Sequence, residues 1–416
     1  MPENMSSVNT ADSTGSTEST ESNDYRGYLL EPFGPIGIIS HTSNEAFVRQ
    51  VNDLIFEKRL KKQQENYSPY VNSAGYLRRD FTIKATITRF ETGEGKVTLN
   101  QTVRGHDIFI ISDVLSHEET FTLSGVPHYA SPDDHFRDLL RIIMAVSGKA
   151  RRINVIMPFL YEGRQDHCIS RESLDCAQML KDLYNLGVAN LIIFDPHDPR
   201  IVNAVPLMGI ELPTSAYKII STLISKNPGL HIDKDNLMII SPDEMAVSRA
   251  IFYASMLEVP LGLFYRDRDY TQVDEEGNHP IKEFRFLGDD PAGKDVLIVD
   301  DMINSGNTMI RTARVLHEKG ARNIFCAAPF GLFTDGLEPF NEAHARGEIT
   351  QVYCTNLTYR PKELFETKWF AEVNMYPYVA RLIDAINVDE SIGKLITPIE
   401  KFNSLLGQMR IEELMS

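Results

Sequence analysis

From residue 150 onward, short and almost uninterrupted apolar runs alternate with amphipathic stretches, and this rhythm constrains the fold more than any other feature. INVIMPFLY (153–161), NLIIFD (190–195), NLMIIS (236–241), LGLFYR (261–266), KDVLIVDD (294–301) and NIFCAAPF (323–330) have the length and character of buried strands. A strand apolar on both faces needs cover on both sides. SRESLDCAQMLKDLYNLG (170–187), DEMAVSRAIFYASMLE (243–258) and the stretch after Asp301 carry helical periodicity between those runs. Strand–helix–strand alternation predicts an α/β fold, a mostly parallel sheet flanked by helices. Units fall before and after about residue 210, which predicts two α/β domains, although no clean internal repeat shows in the letters.

The first 150 residues are less regular. Residues 1–25 are Ser, Thr, Glu and Asn with hardly any apolar side chain, and are expected to form a disordered tail. GPIGIIS (34–40) reads as a strand, and residues 43–65 as an amphipathic helix with Phe47, Val51, Leu54 and Ile55 on one face. DFTIKATITRF (80–90) alternates as a strand, and residues 96–115 supply one or two more. Residues 334–349 and 376–396 read as helical, and the latter can pack back on the first domain.

Composition excludes several roles. A formal charge of −16 argues against a nucleic-acid partner, which needs a basic face. No stretch reaches the ~18 apolar residues of a membrane span, and the N-terminus has no basic and apolar leader. Cys168, Cys176, Cys326 and Cys354 stand far apart with no C-x-x-C pair, so free thiols in a reducing cytoplasm are expected rather than a zinc site. No G-x-x-x-x-G-K-[ST] occurs, so any ATP is held without a Walker loop.

The chemistry concentrates at KDVLIVDDMINSGNT (294–308). An apolar strand delivers Asp300 and Asp301 to its carboxyl end, where open parallel sheets bind ligands. Asn304, Ser305, Gly306, Asn307 and Thr308 then supply backbone N–H groups, two hydroxyls and the start of a helix. Carboxylates for sugar hydroxyls beside a phosphate cradle suit ribose 5-phosphate; the rival reading is a strand–turn–helix whose Asp and Ser merely cap the helix.

The stretch resembles the phosphoribosyl diphosphate-binding motif of type I phosphoribosyltransferases and ribose-phosphate pyrophosphokinases. Further stretches single out the pyrophosphokinases: RFETGEGKVTLNQTVRGHDIFII (89–111), VIMPFLYEGRQD with SRESLDCAQML (155–180), IIFDPHDPRI (192–201) and MIISPDEMAVSRA (238–250), all in the family's order. The resemblance spans roughly residues 33–398. It implies two phosphoribosyltransferase-like domains, 33–212 completed by a helix near 376–398, and 213–375 with the ribose-phosphate loop. It also implies transfer of the diphosphoryl group of ATP to ribose 5-phosphate, giving phosphoribosyl diphosphate and AMP.

Residue by residue, the resemblance implies ATP binding by Arg164, Gln165 and Asp166. Phe90 and Glu94 contact adenine from a neighbouring subunit, hence a homo-oligomer, hexameric or built from dimers. His197 and Asp243 are associated with Mg²⁺, and His197 is also placed with the catalytic Arg266 and Arg268. The chain departs from the family pattern at several points. Arg266 stands where lysine is usual, Met245 where glycine is usual, and HCIS (167–170) where basic residues are commoner; Thr92 and Asn307 are milder changes. These departures keep two alternatives open, a non-catalytic paralogue with a regulatory or assembly role, and a phosphoribosyltransferase.

Overall fold

In a computed structural model the chain is described at residues 31–40, 45–65, 70, 72–168, 171–268 and 281–415; the expected tail at 1–25 lies outside them. The fold is α/β, as expected, with two mostly parallel sheets. The first runs in chain order, Ile36–Ser40, Asp107–Ile111, Arg152–Ile156, Asn190–Ile192, Gly209–Glu211, and every adjacent pair is parallel. The second has the order Ile281–Leu287, Leu261–Arg268, Leu237–Ser241, Asp295–Val299, Ile324–Ala328, Gln351–Thr355, Phe370–Val373. Its edge strand Ile281–Leu287 is antiparallel and the other pairings are parallel.

Period-two side-chain alternation sorts each strand between two cores. Ile108, Ile110 and Val155 enter a core with the helices Pro132–Val146 and Asp175–Asn185, while Phe109, Ile111 and Ile156 face the other way. On that other side, a single apolar layer joins the two sheets. It contains Val51 and Ile55 of the helix Glu45–Gln64, Ile219 and Leu223 of Ala216–Lys226, Ala250 and Tyr253 of Val247–Leu257, and Val379 and Ile383 of Tyr376–Asn387. The outer face of the second sheet is covered by the helices Asn307–Glu318 and Glu338–Ala345.

The helix expected across 376–396 is interrupted. It ends at Asn387, and a separate turn follows at Gly393–Ile396. Likewise the helix expected from residue 170 begins only at Asp175. No helix among the described residues is long and apolar enough to cross a membrane. Of the four free cysteines, Cys168 is exposed and the other three are buried.

The helix Tyr376–Asn387 is fastened to the first sheet by buried polar contacts. Arg59 Nε donates to Asp384 Oδ1 at 2.8 Å and Arg59 Nη2 to Asn387 Oδ1 at 2.8 Å. Asn387 Nδ2 donates to Asp107 Oδ2 at 3.0 Å. Burial alone would push the Asp384 carboxyl up, but Arg59, Lys58 and Lys62 together bring it down to about 2. Its contribution to stability is therefore complete above the ordinary carboxyl range and is lost as pH falls through about 2. Arg59→Ala should lower the unfolding free energy by about 3 kcal/mol at neutral pH, because it strands a buried charge. Urea titration reads this directly; a loss below about 1 kcal/mol would show that Lys58 and Lys62 satisfy Asp384 unaided.

Candidate active site

Strand order in the second sheet fixes where a ligand can sit. From Leu237–Ser241 the chain moves outward to Leu261–Arg268, then returns to Asp295–Val299 on the opposite flank. The connections leaving these two adjacent strands diverge, which opens a crevice at their carboxyl ends. Asp243 follows one strand, and Asp300 and Asp301 follow the other. The crevice is a cavity of about 310 Å³ lined by Asp243, Met245, Asp300, Asp301 and the continuous run 302–309. Arg164 and His197, carried by loops after strands of the first sheet, close it from the other side.

The 304–308 loop turns on a position that only glycine tolerates. Gly306 has φ +89, and a Cβ there would lie 2.2 Å from Cε2 of Phe340. It stands at the start of the helix Asn307–Glu318, which has no side-chain cap. Ser305 Oγ lies 3.4 Å from the Asn307 N–H, too long for a firm cap, so the capping role open from sequence is not what Ser305 performs. The first turn of this helix lines the cavity, where the positive end of the helix favours an anion. The loop is tied down elsewhere, by Thr334 N–H to the Asn304 carbonyl at 3.0 Å.

His197 joins the two halves, with its Nδ1 2.6 Å from Asp301 Oδ2. That hydrogen bond, outweighing partial burial and reinforced by the charges of Asp301, Asp166 and Asp300, holds the imidazolium above its ordinary range. For Asp301 burial works upward, yet the bond from His197 and the charges of Arg249 and His197 keep it ionised, below the usual carboxylate range. Asp300 goes the opposite way. Burial and the carboxylates of Asp301 and Asp243 push it well above that range. One carboxylate is thus spoken for, and its neighbour is held in want of a cation or a hydrogen-bond acceptor.

Asp195 and Arg249, to which the sequence assigns no role, form a second ion pair between the halves, and the Arg249 charge also acts on Asp301. Asp195 is buried and accepts from Thr214 Oγ1 at 2.9 Å, Ser215 Oγ at 2.6 Å and Ser215 N–H at 2.9 Å. Arg249 Nη1, from the second half, donates to it at 3.3 Å. The available signal was an aspartate two residues before His197, and an arginine on an otherwise apolar helix face. A second cavity of about 380 Å³ lies behind, mostly apolar, lined by Pro196, Leu212, Thr214, Arg249, Phe252 and Tyr253 among others. It shares His197, Met245, Asp300 and Asp301 with the first, so Met245, 66% exposed, stands where the two meet.

The other expected site residues are spread more widely. Arg164 Nη2 reaches Met302 Sδ at 2.6 Å. Gln165 and Asp166 engage local partners, Ser173 and His167. Phe90 is half exposed beside the turn of the hairpin Ala85–Arg89/Gly95–Leu99; Glu94 accepts from Thr92 Oγ1 at 3.0 Å. Neither Phe90 nor Glu94 lines the two cavities. Arg266 and Arg268 have their backbone in the strand Leu261–Arg268, and their side chains lie outside the described residues.

Residues 36–187 match the N-terminal domain of ribose phosphate pyrophosphokinase, and residues 211–343 match the phosphoribosyl transferase domain. The chain is 27% identical to a ribose-phosphate pyrophosphokinase of Aquifex aeolicus over 330 residues, 78% of this chain and 94% of that one. It is 26% identical to the Wolinella succinogenes protein of the same name over 313 residues, 75% and 90% of the two chains. The phosphoribosylpyrophosphate synthetase of Mycobacterium smegmatis shares the fold, with TM-score 0.64 at 21% identity over 85% of this chain and 98% of that one.

The geometry at the seam makes a spectroscopic prediction. His197, followed by NMR, should titrate above its ordinary value of about 6.5, and Asp301→Asn should bring it down to or below that value. A titration unmoved by Asp301→Asn would show that the 2.6 Å bond does not set its charge.

Proposed function

The chain belongs to the ribose-phosphate pyrophosphokinase family, and from that premise we propose that it transfers the diphosphoryl group of ATP to ribose 5-phosphate, giving phosphoribosyl diphosphate and AMP. The observation that carries this reading is the crevice at the switch point. It brings paired carboxylates, an uncapped helix start and two residues of the opposite half into one cavity. Asp300 and Asp301 receive the ribose hydroxyls, and the 304–308 loop receives the 5-phosphate. Arg164 and Gln165 hold ATP, with Asp166 beside them.

The anomeric hydroxyl attacks the β-phosphorus, a new O–P bond forms, and the bond from the β-phosphorus to the bridging oxygen breaks. AMP leaves with that oxygen, and the hydroxyl proton is lost to solvent. Such a transfer asks the protein for alignment and charge neutralisation rather than covalent chemistry. His197 holds its Nδ1 on Asp301, so Nε2 is the ring nitrogen left to donate to a phosphate oxygen when protonated, or to meet the metal once it has lost its proton. The donor set fits Mg²⁺, which takes few protein oxygens beside phosphate and water. Asp243 and Asp300 face one cavity with His197, and burial with the carboxylates of Asp301 and Asp243 pushes Asp300 up, a cost that a cation relieves. When bound, the ion neutralises the diphosphoryl oxygens. Arg266 and Arg268 close over the transferring group, Phe90 and Glu94 serve the adenine of an adjacent subunit in a homo-oligomer, and the enzyme works in the cytoplasm.

Pure protein with ATP, Mg²⁺ and ribose 5-phosphate should form AMP in step with phosphoribosyl diphosphate. ADP in place of AMP contradicts the reading; ATP binding without turnover points to the non-catalytic paralogue. Arg266→Ala should lower kcat at least ~100-fold, with a much smaller change in KM for ATP, because the lost interaction is made mainly in the transition state. Arg266→Lys should keep or raise activity. Undiminished turnover in Arg266→Ala would make Arg266 a solvated charge without a catalytic role.

A further inference from the structure

The amino ends of the strands Ile36–Ser40, Asp107–Ile111 and Arg152–Ile156 form a cationic edge on the first sheet. The chain enters it at Phe33, whose N–H donates to the Asn387 carbonyl at 2.7 Å. The guanidinium groups of Arg151 and Arg152 lie 4.8 Å and 4.1 Å from the centre of the Phe33 ring. The Arg151 N–H donates to the His106 carbonyl at 2.8 Å, and the Gly105 N–H to the Lys149 carbonyl at 3.2 Å, which brings Arg104 and Lys149 to the same edge. Arg78 joins from another loop, its Nη2 donating to the Ile36 carbonyl at 3.0 Å. The carboxylates nearby are engaged. Asp107 and Asp389 take Arg152, and Asp80 accepts from the Thr82 N–H at 2.8 Å. The Asp80 charge acts on Arg78, but Arg78, Arg104, Lys149 and Arg151 make no ion pair among the described residues. Arg104, Lys149 and Arg151 are exposed. In a chain of formal charge −16, such an edge is out of keeping with the rest of the composition.

The chain that arrives at this edge is acidic. Residues 1–30, outside the described residues, hold Glu3, Asp12, Glu18, Glu21 and Asp24 against Arg26, and no cation interrupts 18–24. Asp24 precedes Phe33 by nine residues and Glu18 by fifteen. Chain of that length spans up to ~30–50 Å, so these carboxylates are tethered within reach of the edge. Tethering supplies an effective concentration on the order of mM, at which weak exposed ion pairs suffice. We propose that the acidic segment 18–24 docks on the cationic edge of Arg78, Arg104, Lys149 and Arg151 in its own chain. The remaining surface, acidic in sum, repels the segment, while the edge at its root attracts it. Docking holds the segment at the amino ends of the first sheet's strands. Arg164 and His197 reach the crevice from loops at the opposite, carboxyl ends.

A water-soluble carbodiimide, which joins an ammonium and a carboxylate in contact as an amide, tests this on the full chain. After tryptic digestion at ~0.05 M salt, mass spectrometry should find the peptide 1–26 joined to Lys149 through Glu18, Glu21 or Asp24. That yield should fall at least ~5-fold at ~1 M salt, where exposed charges are screened beyond ~3 Å. Lys234, exposed in the second half, should take little of the tail at either salt. Arg104→Gln with Arg151→Gln should lower the Lys149 yield at least ~3-fold, the size of weak exposed pairs, with thermal melting as the check on folding. Should that variant fail to fold, the salt series on the parent decides. Mixing isotope-labelled with unlabelled chains identifies the occupant. Cross-links within one label support the proposal, and cross-links between labels place a second copy's tail on the edge and overturn it. A Lys149 yield no higher than that of Lys234, or one unmoved by salt, overturns it as well.

Discussion

Asp300 and Asp301 lie side by side at the buried end of one strand, and both cannot remain charged and unpaired there. Two adjacent carboxylates in a low-dielectric setting repel and lose hydration together, so one must be neutral or both must be compensated. The fold compensates Asp301 with His197, which belongs to the other sheet, and sets Arg249 nearby. The same contact that solves a charge problem thereby fixes how the two halves meet. Asp195 repeats the device a few residues away, binding Thr214, Ser215 and Arg249 around one buried carboxylate. Among the described residues no cation offsets Asp300, and that deficit is what a cationic or hydroxyl-bearing ligand meets.

An apolar layer makes this seam rigid. Residues from both sheets and from helices of both halves share it, with Phe159 against Phe330 at 5.3 Å and Phe194 against Tyr378 at 5.8 Å. Close-packed interiors transmit small displacements rather than absorb them. Met245, outside this layer and largely exposed, lines both the crevice and the apolar cavity behind it. Its flexible thioether occupies space that a glycine would leave open where the two meet, which is a physical reason to look for altered substrate handling at that residue.

Much of this was legible in the letters. Apolar runs such as KDVLIVDD and NLMIIS are strands because both faces are covered, and covered strands lose their polar alternation. The carboxylates were placed at a ligand-binding edge by the same logic. The antiparallel edge strand Ile281–Leu287, the strands Gln351–Thr355 and Phe370–Val373 and the helix Ile399–Met415 escaped, being short, polar-interrupted or weakly amphipathic. The hairpin Thr120–Leu123/Val126–Tyr129 did carry a signal, since Ser124 and Gly125 both adopt positive φ between alternating residues. The partners of the site were harder. That His197 bonds Asp301 rather than facing solvent depends on how two sheets pack, 104 residues apart in the chain, and no local pattern encodes that distance.

The central claim is that His197 and Asp301 act as one unit that makes two half-sites into a single active site. A double-mutant cycle on kcat/KM for ribose 5-phosphate-dependent AMP formation, with His197→Ala, Asp301→Asn and the pair, measures this most directly. The account predicts strong non-additivity, with a coupling of about 1 kcal/mol or more and the double variant little worse than the poorer single one. Effects that add within about 0.5 kcal/mol would mean that the two residues act independently, and would contradict it.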